Sequence, residues 1–216
     1  MILGKIENER QKRINFLNSP KYKYINEIKK KISSNVTDSK SLNSAFDFVD
    51  SLEYKHPGLT KIGYLAHPYR LTSIYKSYCK WNIEGIVLAA LHNVLEVSDV
   101  NPLLIIEKFG QNTYDAINVL TVDRKLEKDM QYKKEYYERI FSSKKYVGQI
   151  KIIDKLDNLF TLCLNKDDNS REEYIKEINI FLLPKIEAYV PNLKQYFELL
   201  IDDCITIGYH NDLKVS

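Results

Sequence analysis

The sequence predicts an all-α fold: one helical globule of about ten helices spanning residues 1–216. Three observations carry the helical assignment. Apolar residues recur three and four apart along most of the chain, while sustained alternation is rare. Gly at 7 and Pro at 6 are too few for the tight turns of a sandwich or barrel. A hydrophobic share of 44% with 28% charged residues suits a chain that buries a core, not a disordered one.

The elements follow in order. Residues 8–17 predict a first short helix, with Ile14, Phe16 and Leu17 apolar. Tyr22, Ile25, Ile28 and Ile32 share one helical face, as do Leu42, Ala45, Phe46, Val49 and Leu52. His56-Pro57-Gly58 breaks the pattern, and a short connection runs from Leu59 to Ala66. Pro68 suits a first helical turn, where its missing N–H costs nothing, so a helix is expected from about Pro68 to Cys79. Asn82 is placed to cap a helix from Ile83 to about Glu96, apolar nearly all round and therefore central.

Asn101-Pro102 opens the next helix, and Gly110 closes it. Residues 112–121 make a short helix, and the charged stretch 122–135 combines a loop with the start of a solvated helix. Val147, Ile150, Ile153, Leu156 and Leu159 define a core helix between Tyr146 and Leu164. Two amphipathic helices, about 171–189 and 192–208, complete the chain, with a kink expected at Pro184. Their apolar faces either pack on the body or make a homodimer.

Composition also excludes several functions. The balance of 32 basic against 29 acidic residues gives no case for nucleic acid. No apolar run approaches the roughly 18 residues of a membrane span. The N-terminal MILGKIENERQKR is too short in its apolar part for a secretory signal. Glycine cradles of the Rossmann and P-loop kinds are absent. Cys79, Cys163 and Cys204 are few, odd in number and far apart, which predicts reduced, buried thiols in a cytoplasmic protein.

Polar groups embedded in apolar helices need partners, because burying them without any costs roughly 1–3 kcal/mol each. His67, His92-Asn93 and Asp154 stand in such places. Two imidazoles, an amide oxygen and a carboxylate form a first shell for a divalent metal if the fold brings them together. Spacing alone leaves the alternative of two core histidines satisfied by hydrogen bonds.

Four ordered blocks add to this reading. Tyr64-Leu-Ala-His67-Pro68 resembles Y-x-x-H-P. The run Leu91-His92-Asn93-Val94-Leu95-Glu96-Val97-Ser98-Asp99 resembles L-H-D-V-V-E-D-T-D. Phe109-Gly110 with Val119-Leu120-Thr121 matches F-G…V-T, and the segment from Lys151 to Leu162 resembles K-L-A-D-[RK]-L-x-N-L-R-T-L. Residues 54–162 thus resemble the HD-superfamily hydrolase domain of the RelA/SpoT alarmone proteins, in its small stand-alone form. The resemblance implies an all-α fold, a manganese ion on His67, His92, Asn93 and Asp154, and removal of the 3′-pyrophosphate from guanosine tetra- or pentaphosphate. It assigns Glu96 to the attacking water and Lys61, Asn158 and Thr161 to the nucleotide. Residues 1–50 and 165–216 lie outside these blocks.

The chain departs from the pattern at three positions. Asn93 replaces an aspartate, leaving one carboxylate among the implied ligands and weakening the hold on a hard cation. Val97 replaces the second carboxylate of an E-D pair, and loss of a general acid or base costs about 10²- to 10⁴-fold in rate. Asp99, Asp123 and Asp129 are the nearby carboxylates available to replace it. Asp157 stands where the pattern has a His or aromatic residue, and there it would repel a polyphosphate. The basic set Arg124, Lys125, Lys128, Lys133, Lys134 and Arg139 either attracts such an anion or forms a solvated face. The sequence therefore predicts a metal-dependent phosphohydrolase. Its alternatives are a degenerate HD domain that binds a nucleotide or protein without hydrolysis, and an HD-fold enzyme of different chemistry.

Overall fold

The computed structural model describes residues 2–34, 39–55, 59–80 and 82–210. The break at His56-Pro57-Gly58 lies outside them. Among the described residues there are thirteen α-helices and no strand. They are α1 (Ile2–Asn18), α2 (Tyr22–Ser33), α3 (Ser39–Ser51), α4 (Lys61–Tyr78), α5 (Ile83–Leu91), α6 (Val94–Val97) and α7 (Pro102–Phe109). After these come α8 (Gln111–Leu120), α9 (Met130–Ser142), α10 (Lys145–Leu159), α11 (Asp168–Glu177), α12 (Leu183–Tyr189) and α13 (Lys194–Ile207).

The predicted caps act as expected. The Asn82 side chain accepts from the Gly85 N–H at 2.7 Å, and the Asn101 side chain accepts from the Leu103 N–H at 3.0 Å. Gly110 takes φ +82° between α7 and α8, a conformation that side chains with a Cβ disfavour. The apolar α5 is the central helix: every residue from Gly85 to Leu91 is buried, and it packs on α3, α4, α8 and α10. Buried side chains from Ile6 to Cys204 form one contiguous core.

Four boundaries differ from the sequence reading, the first being α1, which begins at Ile2 and not near residue 8. The helix expected at Pro68 starts at Lys61 instead, because Thr60 caps it by accepting from the Gly63 N–H at 3.2 Å. Pro68 therefore lies inside α4, where the fold tolerates its missing donor, and His67 sits mid-helix. The helix expected to run to Glu96 ends at Leu91, and a turn at His92-Asn93 separates it from α6. The helix expected over 171–189 is interrupted by a π-turn at Ile178–Leu182 just before Pro184. A widened turn absorbs the hydrogen bond that proline cannot donate. No helix among the described residues is long and apolar enough to cross a membrane.

Candidate metal centre and its cavity

Three helix segments bring His67, His92 and Asp154 to one point. His67 comes from the middle of α4, His92 from the turn after α5 and Asp154 from α10. One ligand atom of each lies within 4.8 Å of the others. His67 Nε2 is 3.2 Å from His92 Nε2 and 3.2 Å from Asp154 Oδ1, and His92 Nε2 is 3.9 Å from that oxygen. Two atoms each about 2.1 Å from one ion stand roughly 3.0–3.4 Å apart at octahedral or tetrahedral angles, so both 3.2 Å separations fit a shared cation and the 3.9 Å one needs a wider angle.

The far sides of both rings are already engaged. His92 Nδ1–H donates to the Ala89 carbonyl at 2.9 Å, an acceptor available because α5 ends there. His67 Nδ1 lies 2.9 Å from Asp157 Oδ2. Both Nε2 atoms therefore face the common point, and this donor set fits a divalent ion of the kind the sequence implies.

Charge around the centre is strongly organised. Burial pushes His67 down, but Asp154 and Asp157 outweigh it and raise its pKa to about 9. Burial and the His67 cation push His92 down to about 4. Loading an ion onto His67 Nε2 thus displaces a proton. Burial disfavours the Asp154 carboxylate, yet Lys151 and the histidines hold it well below the usual carboxylate range. Lys151 Nζ meets its Oδ2 at 3.0 Å, and the Asn158 amide donates to its Oδ1 at 3.0 Å. Residues 151, 154 and 158 recur at three and four along α10, which lines them up on one face.

The centre opens into a cavity of about 470 Å³. Asn93 lines it beside the Tyr64 hydroxyl, and Asn158 and Thr161 line it as well. Glu96 is also on the wall, with both carboxylate oxygens engaged: Oε1 accepts from the Val122 N–H at 3.1 Å and Oε2 from Arg124 at 2.8 Å. Lys61 is not part of the lining and faces Glu53 at 3.6 Å, because its place in the first turn of α4 points it outward. Asp99, Asp123 and Asp129 do not line the cavity either. Asp99 pairs with Lys55, Asp123 accepts from the Lys125 N–H, and Asp129 caps α9.

Sequence reasoning named Lys133 in the basic set but missed Lys155 and Glu177, which join it in the cavity lining. Lys133 and Lys155 each meet Glu177 at 2.7 Å, and Tyr137 donates to the same carboxylate at 2.6 Å. Lys155 also stands 4.2 Å above the Tyr174 ring. Of the charged stretch, Arg124, Lys128 and Lys133 reach the cavity. The i, i+4 spacing of Lys151 and Lys155 on α10 was the available signal.

Asp157 requires the main correction. It does not project toward a ligand as an exposed negative charge: it is 1% exposed and enclosed by His67, Arg13 and Arg70. Arg13 from α1 and Arg70 from α4 neutralise it, so its repulsion of a polyphosphate is largely cancelled.

No family model matches the sequence, and no curated protein matches it. Among solved structures, the chain is similar to a metazoan ortholog of SpoT, described as hydrolysing ppGpp and playing a role in starvation responses. The two are 21% identical, the match covers 78% of this chain and 97% of that one, and the TM-score is 0.64. Identity at this level speaks for architecture. The chain shares the all-α fold of the SpoT ortholog.

Proposed function

We propose that the chain is a metal-dependent phosphohydrolase that removes the 3′-pyrophosphate from a guanosine polyphosphate. The observation that carries this reading is the convergence of His67, His92 and Asp154 on a cavity whose lining includes Lys128, Lys133, Lys151 and Lys155. The similarity to a ppGpp-hydrolysing SpoT ortholog supports the substrate class.

In this reading His67, His92 and Asp154 hold a manganese ion, with the Asn93 amide oxygen as a fourth, uncharged ligand. When bound, such an ion polarises a phosphoryl oxygen and acidifies water. Glu96 orients the attacking water, held in place by Arg124 and the Val122 N–H. Asn158 and Thr161 meet the nucleotide, while Lys133 and Lys155 draw its phosphates inward. The buried thiols of Cys79, Cys163 and Cys204 suit a reducing, cytoplasmic setting.

The test is pyrophosphate release from guanosine 3′,5′-bis(diphosphate) with and without Mn²⁺. Manganese-stimulated turnover is expected, and no turnover at high enzyme and millimolar Mn²⁺ refutes the reading. A second reading, binding without hydrolysis, is favoured by Val97 and by the full engagement of the Glu96 oxygens. Asn93→Asp with Val97→Asp separates the two. Under the binding reading, this double variant gains hydrolysis that the wild type lacks.

A further inference from the structure

Asp157 contacts no cavity and belongs to none of the roles above, yet it receives more buried hydrogen bonds than any ligand of the centre. Its Oδ1 accepts from Arg13 Nε at 3.1 Å, Arg13 Nη2 at 2.9 Å and Arg70 Nε at 3.0 Å. Its Oδ2 accepts from Arg70 Nη2 at 2.8 Å and Arg70 Nε at 3.1 Å, and faces His67 Nδ1 at 2.9 Å. Two guanidiniums from different helices thus fix the plane and tilt of one carboxylate, and that carboxylate fixes one imidazole. We propose that Asp157 is the positioning residue of the metal centre: with Arg13 and Arg70 it locks His67 in the tautomer and ring orientation that aim Nε2 at the ion.

The chemistry requires such a lock. A neutral imidazole carries one proton, and whichever nitrogen loses it becomes the ligand. An acceptor at Nδ1 keeps the proton there and leaves the Nε2 lone pair for the cation. His92 obtains the same result from the Ala89 carbonyl at the end of α5. His67 sits inside α4, and the acceptor that its Nδ1 meets comes from another element, α10. Asp157 is three residues from Asp154, one turn along α10, so the helix that supplies a ligand also supplies the brace. An aromatic residue at 157 lacks the two oxygens this arrangement uses.

The inference rests on the metal-centre reading, and the experiment separates the failure of one from that of the other. Mn²⁺ alone is titrated calorimetrically into the wild type, Asp157→Asn and Asp203→Asn. An amide at 157 turns an NH₂ toward donors and cannot serve both the arginines and His67, so Mn²⁺ affinity falls about 10- to 100-fold. Asp203 pairs with Arg10 where α1 meets α13, and it lines no part of the cavity. Asp203→Asn therefore lowers the melting temperature and leaves Mn²⁺ affinity at the wild-type value. Unchanged affinity in Asp157→Asn overturns the proposal while the metal centre stands. Wild type that takes up no Mn²⁺ removes the centre and the proposal together.

A second measurement covers an Asp157→Asn chain that does not fold. Nitrogen-15 NMR of wild-type protein loaded with diamagnetic Zn²⁺ reads the histidine tautomers directly. A proton on His67 Nδ1 with a metal-shifted Nε2 is expected, and coordination through Nδ1 overturns the proposal.

Discussion

Replacing Glu177 by glutamine tests the electrostatics of the lysine wall quantitatively. The side chain is 14% exposed and meets Lys133, Lys155 and the Tyr137 hydroxyl. Burial raises its pKa, but Lys155, Lys133 and Tyr137 outweigh burial and bring it from 4.5 down to about 2. At about 1.4 kcal/mol per pH unit, that gap corresponds to about 3 kcal/mol of folding stability at pH 7. The folded-state pKa lies below the unfolded one, so this stability is fully present above about pH 4.5. It is lost as pH falls toward about 2. Urea denaturation of wild type and Glu177→Gln should therefore differ by about 3 kcal/mol at pH 7 and by about 1 kcal/mol at pH 3. A difference that stays constant across this range refutes the reasoning, because an uncharged amide cannot reproduce a titrating carboxylate.

Asp154→Asn should abolish Mn²⁺ uptake in calorimetry. It should also lower stability by roughly 3–5 kcal/mol, because it leaves the buried Lys151 ammonium without its carboxylate partner. Asn93→Asp alone should tighten Mn²⁺ binding in the same assay, since it adds a charged oxygen beside the ion. Gly85→Ala should lower the melting temperature by an amount equivalent to about 1–3 kcal/mol. A Cβ there would overlap the hydroxyl of Tyr75, whose fully buried ring has no room to move.

Much of the fold was legible because helices announce themselves locally. Asn82, Asn101 and Gly110 act within four residues of their own positions, and the unbroken apolar run of α5 marks burial directly. Pro68 misled because its preference for a first turn is only a tendency. A threonine eight residues earlier had already nucleated the helix, and a proline alone cannot reveal an upstream cap. The motif positions His67, His92 and Asp154 were readable, and the structure brings them together. Lys61 falls outside the cavity because a spacing that differs by a few residues turns a helical side chain to another face. The bracing of Asp157 was not readable. Its partners Arg13 and Arg70 lie 144 and 87 residues away, and no local period encodes such a pairing.

That separation sets a timetable for the newborn chain. Translation at about 5–20 residues per second puts roughly 7 to 30 seconds between the appearance of Arg13 and that of Asp157. Until α10 emerges, Arg13 has only Glu9 of its own helix as a carboxylate partner, and the guanidinium that will end up buried must remain in water. Closing so long a loop is entropically slow and follows the docking of nearer neighbours. The centre is thus completed late, after most of the surrounding helices are in place, which limits how soon a half-made chain can capture a cation.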